Sequence, residues 1–319
     1  MAKRRRLKKS VRNIFILLVI LVIGLIFGIK KYKEYKYHQT NLYKLTQVGY
    51  TLEESKLIVD KLNNENETYF VNNEKNDYVL DIIKEKYFLE KYLYEYLDYK
   101  KENKKTSNTD VVAIVNVRAN KEWYDPKTVR ETDLSKGNLI LVNKFNYLKN
   151  DYEPSDITSL DLSYSYDNNR VSKETSDAYL EMAKAAKKDN ISLMANSSFR
   201  TYDRQEAVYK EFYYSKGVNY ADKYAARAGY SEHQTGLAID IFTSGRSTTS
   251  DFDTSDAFKW LQTNAHKYGF ILRYPKDKEY LTGYNYESWH YRYLGVETAT
   301  KVYESGLTYD EYYAYYLDK

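Results

Sequence analysis

The run Ile14–Ile29 is sixteen residues without one polar side chain, interrupted only by Gly24 and Gly28. Taken back to Val11 it is nineteen residues long, and as a helix it would span roughly 28 Å, close to the hydrocarbon thickness of a bilayer. Seven basic residues, from Lys3 to Arg12, precede or enter it, which a buried core helix would not tolerate. A cleaved signal peptide would need small residues at a cleavage site, and no A-x-A-like pattern follows the run. The segment therefore reads as an uncleaved anchor over residues 11–30, with Arg12 snorkelling to the headgroups. Residues 1–10 become a basic cytoplasmic tail, and the body is expected outside the cell membrane.

The charge balance supports this division. Residues 1–40 hold eleven Lys and Arg against one acid, Glu34, so of the net +4 the rest of the chain carries about −6. An acidic body is a poor partner for nucleic acid, and none is expected. There is no cysteine among the 319 residues. That excludes disulfides, thiolate zinc sites, a cysteine nucleophile and a lipoprotein anchor together. Nothing in the sequence speaks to oligomeric state.

Residues 31–105 are rich in Lys, Glu, Asn and Tyr and read as a helical stalk or spacer; a wall-binding or partner-binding module is the functional alternative. Thr51-Leu52-Glu53-Glu54 has the form of a capping box, with Leu57, Ile58 and Leu62 at helical spacing behind it. Val79, Ile82, Ile83, Leu89, Leu93 and Leu97 fall mostly on one helical face. The charged run Lys100–Asn108 is the linker candidate. From there the texture changes, and residues 106–319 form the expected catalytic domain. Val111–Val117, Leu139–Val142, Ile191–Ala195, Leu237–Phe242, Phe270–Tyr274 and Trp289–Leu294 read as strands. Residues 174–188, Asp203–Lys216 and Asp253–Tyr268 read as helices, and Thr308-Tyr309-Asp310-Glu311 opens a terminal one. Short strands and helices without regular βαβ alternation predict an α+β domain, a small antiparallel sheet with flanking helices.

Two of the four histidines lie in unusual surroundings: Ser231-Glu232-His233-Gln234-Thr235-Gly236-Leu237-Ala238-Ile239-Asp240 and Glu287-Ser288-Trp289-His290. A catalytic zinc takes three protein ligands and keeps one position open; without cysteine these must be His, Asp or Glu. His233 and Asp240 supply one of each, and Gly236 lets the backbone turn between them. A carboxylate in the apolar strand Leu237–Phe242 would be costly to bury without a cation or strong donors. His290 can be the third ligand, leaving Glu287 to act as base on an attacking water. By spacing alone, a capped loop, a salt-bridged Asp240 and a core histidine beside Trp289 explain the same residues.

The letters themselves go further. Ser-x-His-x-x-Gly-x-Ala-x-Asp over Ser231–Asp240, Glu-x-Trp-His over Glu287–His290, and Ser197-Ser198-Phe199-Arg200-Thr201 with Gln205 after it resemble, in order and separation, the signatures of VanY-type D-alanyl-D-alanine carboxypeptidases and their LD-carboxypeptidase and dipeptidase relatives. The resemblance covers roughly Val111 to the C-terminus. It implies the zinc peptidase fold shared by DD-peptidases and hedgehog-like domains, with zinc held by His233, Asp240 and His290. It further implies Glu287 as general base and then proton donor, Arg200 as the substrate-contacting cation, and Gln205 and Ser231 as polar groups of the substrate pocket. Ala228, Ser288 and Phe199 stand where the family commonly has Pro, Pro and Tyr; none of these departures removes a ligand or the base. The expected activity is removal of the C-terminal D-alanine from peptidoglycan stem peptides. The rivals are an LD-carboxypeptidase or endopeptidase of the same fold, and a non-catalytic wall-binding protein. His266 and His38 are expected to stand apart from the chemistry.

Overall fold

The computed structural model describes residues 9–245 and 251–318, and the chain divides into two compact units, residues 1–101 and 102–319. In the first unit, helix α1 (Lys9–His38) carries the apolar run; its most apolar stretch has a mean hydropathy of 2.7 and none of it is buried. It is long and apolar enough to cross a membrane, by length and composition. Behind it come α2 (Asn41–Val48), α3 (Leu52–Lys61), α4 (Asn64–Asn72), α5 (Asp77–Ile82) and α6 (Leu93–Glu102). Asparagine and threonine caps explain why these helices are short. Thr40, Thr51, Asn63 and Asn76 each accept a hydrogen bond from a first-turn amide, and Thr51 and Glu54 complete the expected capping box. The apolar positions from Val79 to Leu97 do not share one helix. Residues 83–89 break it, and Val79, Ile82, Leu93 and Tyr96 instead join Leu45, Ile58 and Phe70 as fully buried side chains. Residues 31–101 thus include a cluster of short helices with its own apolar interior, where a long amphipathic stalk would have had only a stripe.

The second unit opens with α7 (Asn108–Asn116), followed by two short pairings: β1 (Arg130–Glu131) beside β2 (Asn146–Tyr147), and β3 (Ile157–Ser159) antiparallel to β4 (Arg170–Ser172). Then come α8 (Lys173–Lys188), β5 (Met194–Ser197), α9 (Tyr202–Lys216), α10 (Val218–Tyr224), β6 (Ala238–Phe242), α11 (Asp256–Asn264), β7 (Phe270–Tyr274), α12 (Glu279–Thr282), β8 (Glu287–Tyr293), α13 (Val296–Ser305) and α14 (Tyr309–Tyr312). The main sheet is four-stranded and antiparallel throughout, in the order β5-β6-β8-β7. One of its faces packs on α8 and α11 through Tyr179, Met182, Ala183, Ile239, Ile241, Phe258 and Leu261. The other face is where polar side chains gather. The α+β expectation holds.

Two expected strands are not strands. Val111–Val117 is mostly α7, buried all round, and Ser107 caps it by accepting from the Asp110 amide at 3.0 Å. A short apolar run has no polar face to reveal its period, so a strand and a buried helix look alike in it. Leu139–Val142 follows a 3-10 turn over Leu134–Leu139 and stays irregular; the Asn138 and Ile140 carbonyls accept from the Arg292 guanidinium, not from a neighbouring strand. The expected helix from Asp253 starts at Asp256, under the Ser255 cap, and tightens to 3-10 geometry at Ala265–Tyr268 before Gly269. The C-terminal segment is α14 followed by one π turn, Tyr313–Leu317.

Candidate metal centre and active site

The register of β6 on β8 sets Asp240 directly opposite His290. Cross-strand partners have their Cβ atoms about 5 Å apart on one face of the sheet, so an imidazole and a carboxylate there must meet. His233 arrives from the 3-10 turn Glu232–Thr235, just before β6, where Ser231 caps the turn by accepting from the His233 amide. Gly236 ends the turn at φ 69°, in the left-handed region, and feeds β6. Any side chain at Gly236 would collide: a Cβ there would lie 2.7 Å from Ile157 Cδ1 and 3.0 Å from the Ser172 amide nitrogen. The tight turn folds His233 back over Asp240, seven residues on.

Asp240 Oδ1 lies 3.5 Å from His233 Nε2 and 3.4 Å from His290 Nδ1. The three residues offer ligand atoms all within 4.8 Å of one another. His233 Nδ1 lies 2.7 Å from the Ser198 carbonyl. A carbonyl only accepts, so that nitrogen carries the proton and Nε2 presents its lone pair to the centre. Asp240 Oδ1 is buried with no hydrogen-bond partner, an arrangement that a cation would satisfy. Two imidazoles and a carboxylate fit zinc as three ligands of a tetrahedral site. The electrostatics of His233 and Asp240 agree. Burial, and then Arg200, hold the His233 imidazole down at about 4, neutral as a ligand must be. Burial also disfavours charge on His290, but the carboxylates of Asp240 and Glu232 outweigh it and lift the imidazole to about 9. Burial raises Asp240, yet His233 and His290 hold it well below the ordinary carboxylate range.

Glu287 opens β8, three residues before His290. Strict alternation would put the two on opposite faces. The β7–β8 pairing runs Leu272 to Tyr291 and then Tyr274 to Glu287, so β8 carries two extra residues between these pairs. This bulge brings Glu287 Oε2 to 3.4 Å from His290 Nδ1. Burial lifts its carboxyl to about 7, into the range of a general base at neutral pH.

Arg200 follows β5 and is steered from two sides. Its Nη1 donates to Ser197 Oγ at 2.6 Å and its Nε to Gln205 Oε1 at 2.8 Å. Gln205 in turn donates from Nε2 to the Ala226 carbonyl at 2.7 Å. Both ends of the buried amide are therefore engaged with protein, and Gln205 backs Arg200. One cleft is lined by Arg200, Gln205, Ser231, His233, Asp240, Glu287 and His290, with Phe212, Tyr224, Tyr274, Tyr284 and Trp289 as its aromatic walls. Every site residue expected from the sequence lines it. His266 stands apart, stacked on Tyr303 with ring centres 3.8 Å apart, and His38 stacks on Tyr43.

The sequence reading missed what lies beneath. Glu232, fully buried, accepts through Oε1 from Arg273 Nε at 2.7 Å and from Arg292 Nη1 at 2.8 Å. Its Oε2 lies 3.4 Å from His290 Nε2. Arg273 also donates to both carboxylate oxygens of Asp310, at 2.5 and 3.2 Å. Burial raises Glu232, but the two guanidinium groups win and hold its carboxyl well below the usual range. A signal did exist: Arg292 is two residues past His290 in a strand, hence on the same face.

Comparison with known proteins places these features in a family. The family model for VanY, D-alanyl-D-alanine carboxypeptidase, matches residues 168–296. The Bacillus subtilis protein YodJ is 43% identical over 185 residues, 55% of this chain and 66% of that protein. A D-alanyl-D-alanine carboxypeptidase of Enterococcus faecalis is 34% identical over 206 residues, 61% of this chain and 73% of that one. The chain thus spans about two thirds of the length of the first relative. Among solved structures, the LD-carboxypeptidase LdcB, described as revealing the molecular basis of peptidoglycan recognition, is 38% identical with a TM-score of 0.56, covering 61% of this chain and 94% of that one.

Proposed function

The chain belongs to the VanY family of D-alanyl-D-alanine carboxypeptidases, and on that premise we propose that it is a zinc-dependent carboxypeptidase that removes the C-terminal D-alanine from peptidoglycan stem peptides. The observation that carries the reading is one cleft in which His233, Asp240 and His290 converge beside a buried carboxyl, Glu287, and a steered guanidinium, Arg200. When bound, zinc would polarise the scissile carbonyl and lower the pKa of the attacking water. Glu287 takes the proton from that water and returns it to the leaving D-alanine amine; a pKa of about 7 suits both transfers. Arg200, with its planar fork held by Ser197 and Gln205, binds substrate carboxylate or the developing oxyanion.

A second reading is favoured by one comparison. The likeness to LdcB supports an LD-carboxypeptidase, acting on tetrapeptides, with the same ligands and base. The full chain, loaded with zinc, is to be incubated with pentapeptide and tetrapeptide muropeptides and the products followed by mass spectrometry. Loss of one alanine from the pentapeptide alone supports the first reading, and loss from the tetrapeptide supports the second. Loss from neither, with zinc confirmed bound, overturns both and favours an endopeptidase or a wall-binding protein.

The proposed location rests on α1. The apolar α1 behind a basic tail supports a single-pass membrane protein with residues 102–319 outside, where wall peptides are. Protease added to intact cells stripped of wall should remove the body. A body digested only after lysis would overturn this orientation.

A further inference from the structure

We infer that Glu232 is a positioning residue: its carboxylate holds His290 in the orientation that turns Nδ1 toward Asp240 and the metal centre. The inference rests on the metal-centre reading above and deepens it. His290 has two ring nitrogens with opposite surroundings. Nδ1 faces Asp240 Oδ1 and Glu287 Oε2, each at 3.4 Å. Nε2 faces Glu232 Oε2, also at 3.4 Å, and both of those atoms are buried with no other hydrogen-bond partner. Two orphaned polar atoms facing one another away from water are each other's only means of satisfaction. When Nδ1 ligates a cation, Nε2 must carry the proton, and a carboxylate is its natural acceptor.

Glu232 is itself tightly held. Its other oxygen accepts from two fully buried guanidinium groups, Arg273 at 2.7 Å and Arg292 at 2.8 Å. These come from β7 and from β8, the strand that carries the histidine. Arg273 is anchored further by Asp310 of α14. The carboxylate therefore has one oxygen clamped by the sheet and one free to aim, which is what a fixed acceptor for an imidazole requires. Its place beside His233 in sequence gives it a second geometric constraint, since the same 3-10 turn sets both.

The test is zinc affinity of the full chain, read by competition with a chelator and not by turnover. Glu232→Gln keeps the shape and removes the charge; affinity should fall about 10–100-fold. Asp310→Asn loosens the far end of the same ion network without touching His290, and its affinity should stay within about threefold of wild type. Equal affinity in wild type and Glu232→Gln overturns the inference alone, as do equal losses in the two variants, which would mark general destabilisation. A wild-type chain that binds no zinc overturns it together with the metal-centre reading. Imidazole nitrogen NMR on the zinc-loaded wild type needs no variant. His290 protonated at Nε2 and liganded at Nδ1 supports the inference, and the opposite tautomer overturns it.

Discussion

At Glu287 the local geometry makes one sharp demand. The carboxyl sits 3.4 Å from Nδ1 of His290, a candidate ligand atom, and can serve either as a further ligand or as a base. Replacing it with Gln separates the roles. As base, its loss should cut turnover about 10²–10⁴-fold with zinc still bound at full occupancy, measured by metal analysis beside the muropeptide assay. Loss of the metal in that variant would make Glu287 a ligand. Arg200 makes a second demand. Because Gln205 has both ends of its amide engaged, Gln205→Leu should act through Arg200, raising KM more than it lowers kcat. A variant with wild-type kinetics would show that Ser197 alone steers the guanidinium.

At the scale of elements, the site depends on two departures from regular structure, the left-handed turn at Gly236 and the bulge in β8. Gly236→Ala should lose about 2 kcal/mol or more of stability in urea. The left-handed backbone accounts for about 1–2 of this, and the collision with Ile157 and the Ser172 backbone adds to it. An unchanged urea midpoint would show that β3 and β4 can yield. These elements also explain what was legible. The motifs over Ser231–Asp240 and Glu287–His290 pointed to the candidate ligands and the candidate base because their chemistry is carried by residue type. The β8 bulge left no mark in the letters, since it is a property of how β7 and β8 pair. Ser107 with Asp110 was a readable helix cap, and it outweighed the strand-like look of Val111–Val117.

For the molecule as a whole, chelation should leave residues 102–319 folded but less stable. A ligand that binds only the folded state stabilises it, so removing zinc should lower the melting temperature of wild type and leave His233→Ala unmoved. A second effect comes from Lys144, buried under Trp123 and Tyr284 and donating to the Asp222 carbonyl. Burial outweighs Asp222 and pulls its ammonium down from 10.5 to about 7. Above that value the unfolded chain holds a proton that the folded chain has released, so folding stability should rise with pH from about 7 toward 10.5. Lys144→Met should flatten the rise in urea denaturation across this window. A profile equally steep in the variant would place its cause elsewhere.

By itself the sequence determined what depends on residue type and local spacing: an apolar run of membrane length, the helix caps at Thr51 and Thr308, and a thiol-free set of candidate metal ligands. Side-chain chemistry and short-range periodicity are written in the chain and need no distant partner. Only the tertiary structure decided that Asp240 faces His290, that Glu287 turns to the same side, and that Glu232 lies clamped between Arg273 and Arg292. The first and last of those relations join residues about 40 to 60 positions apart through strand register and burial, and register is settled when whole faces of a sheet find their partners.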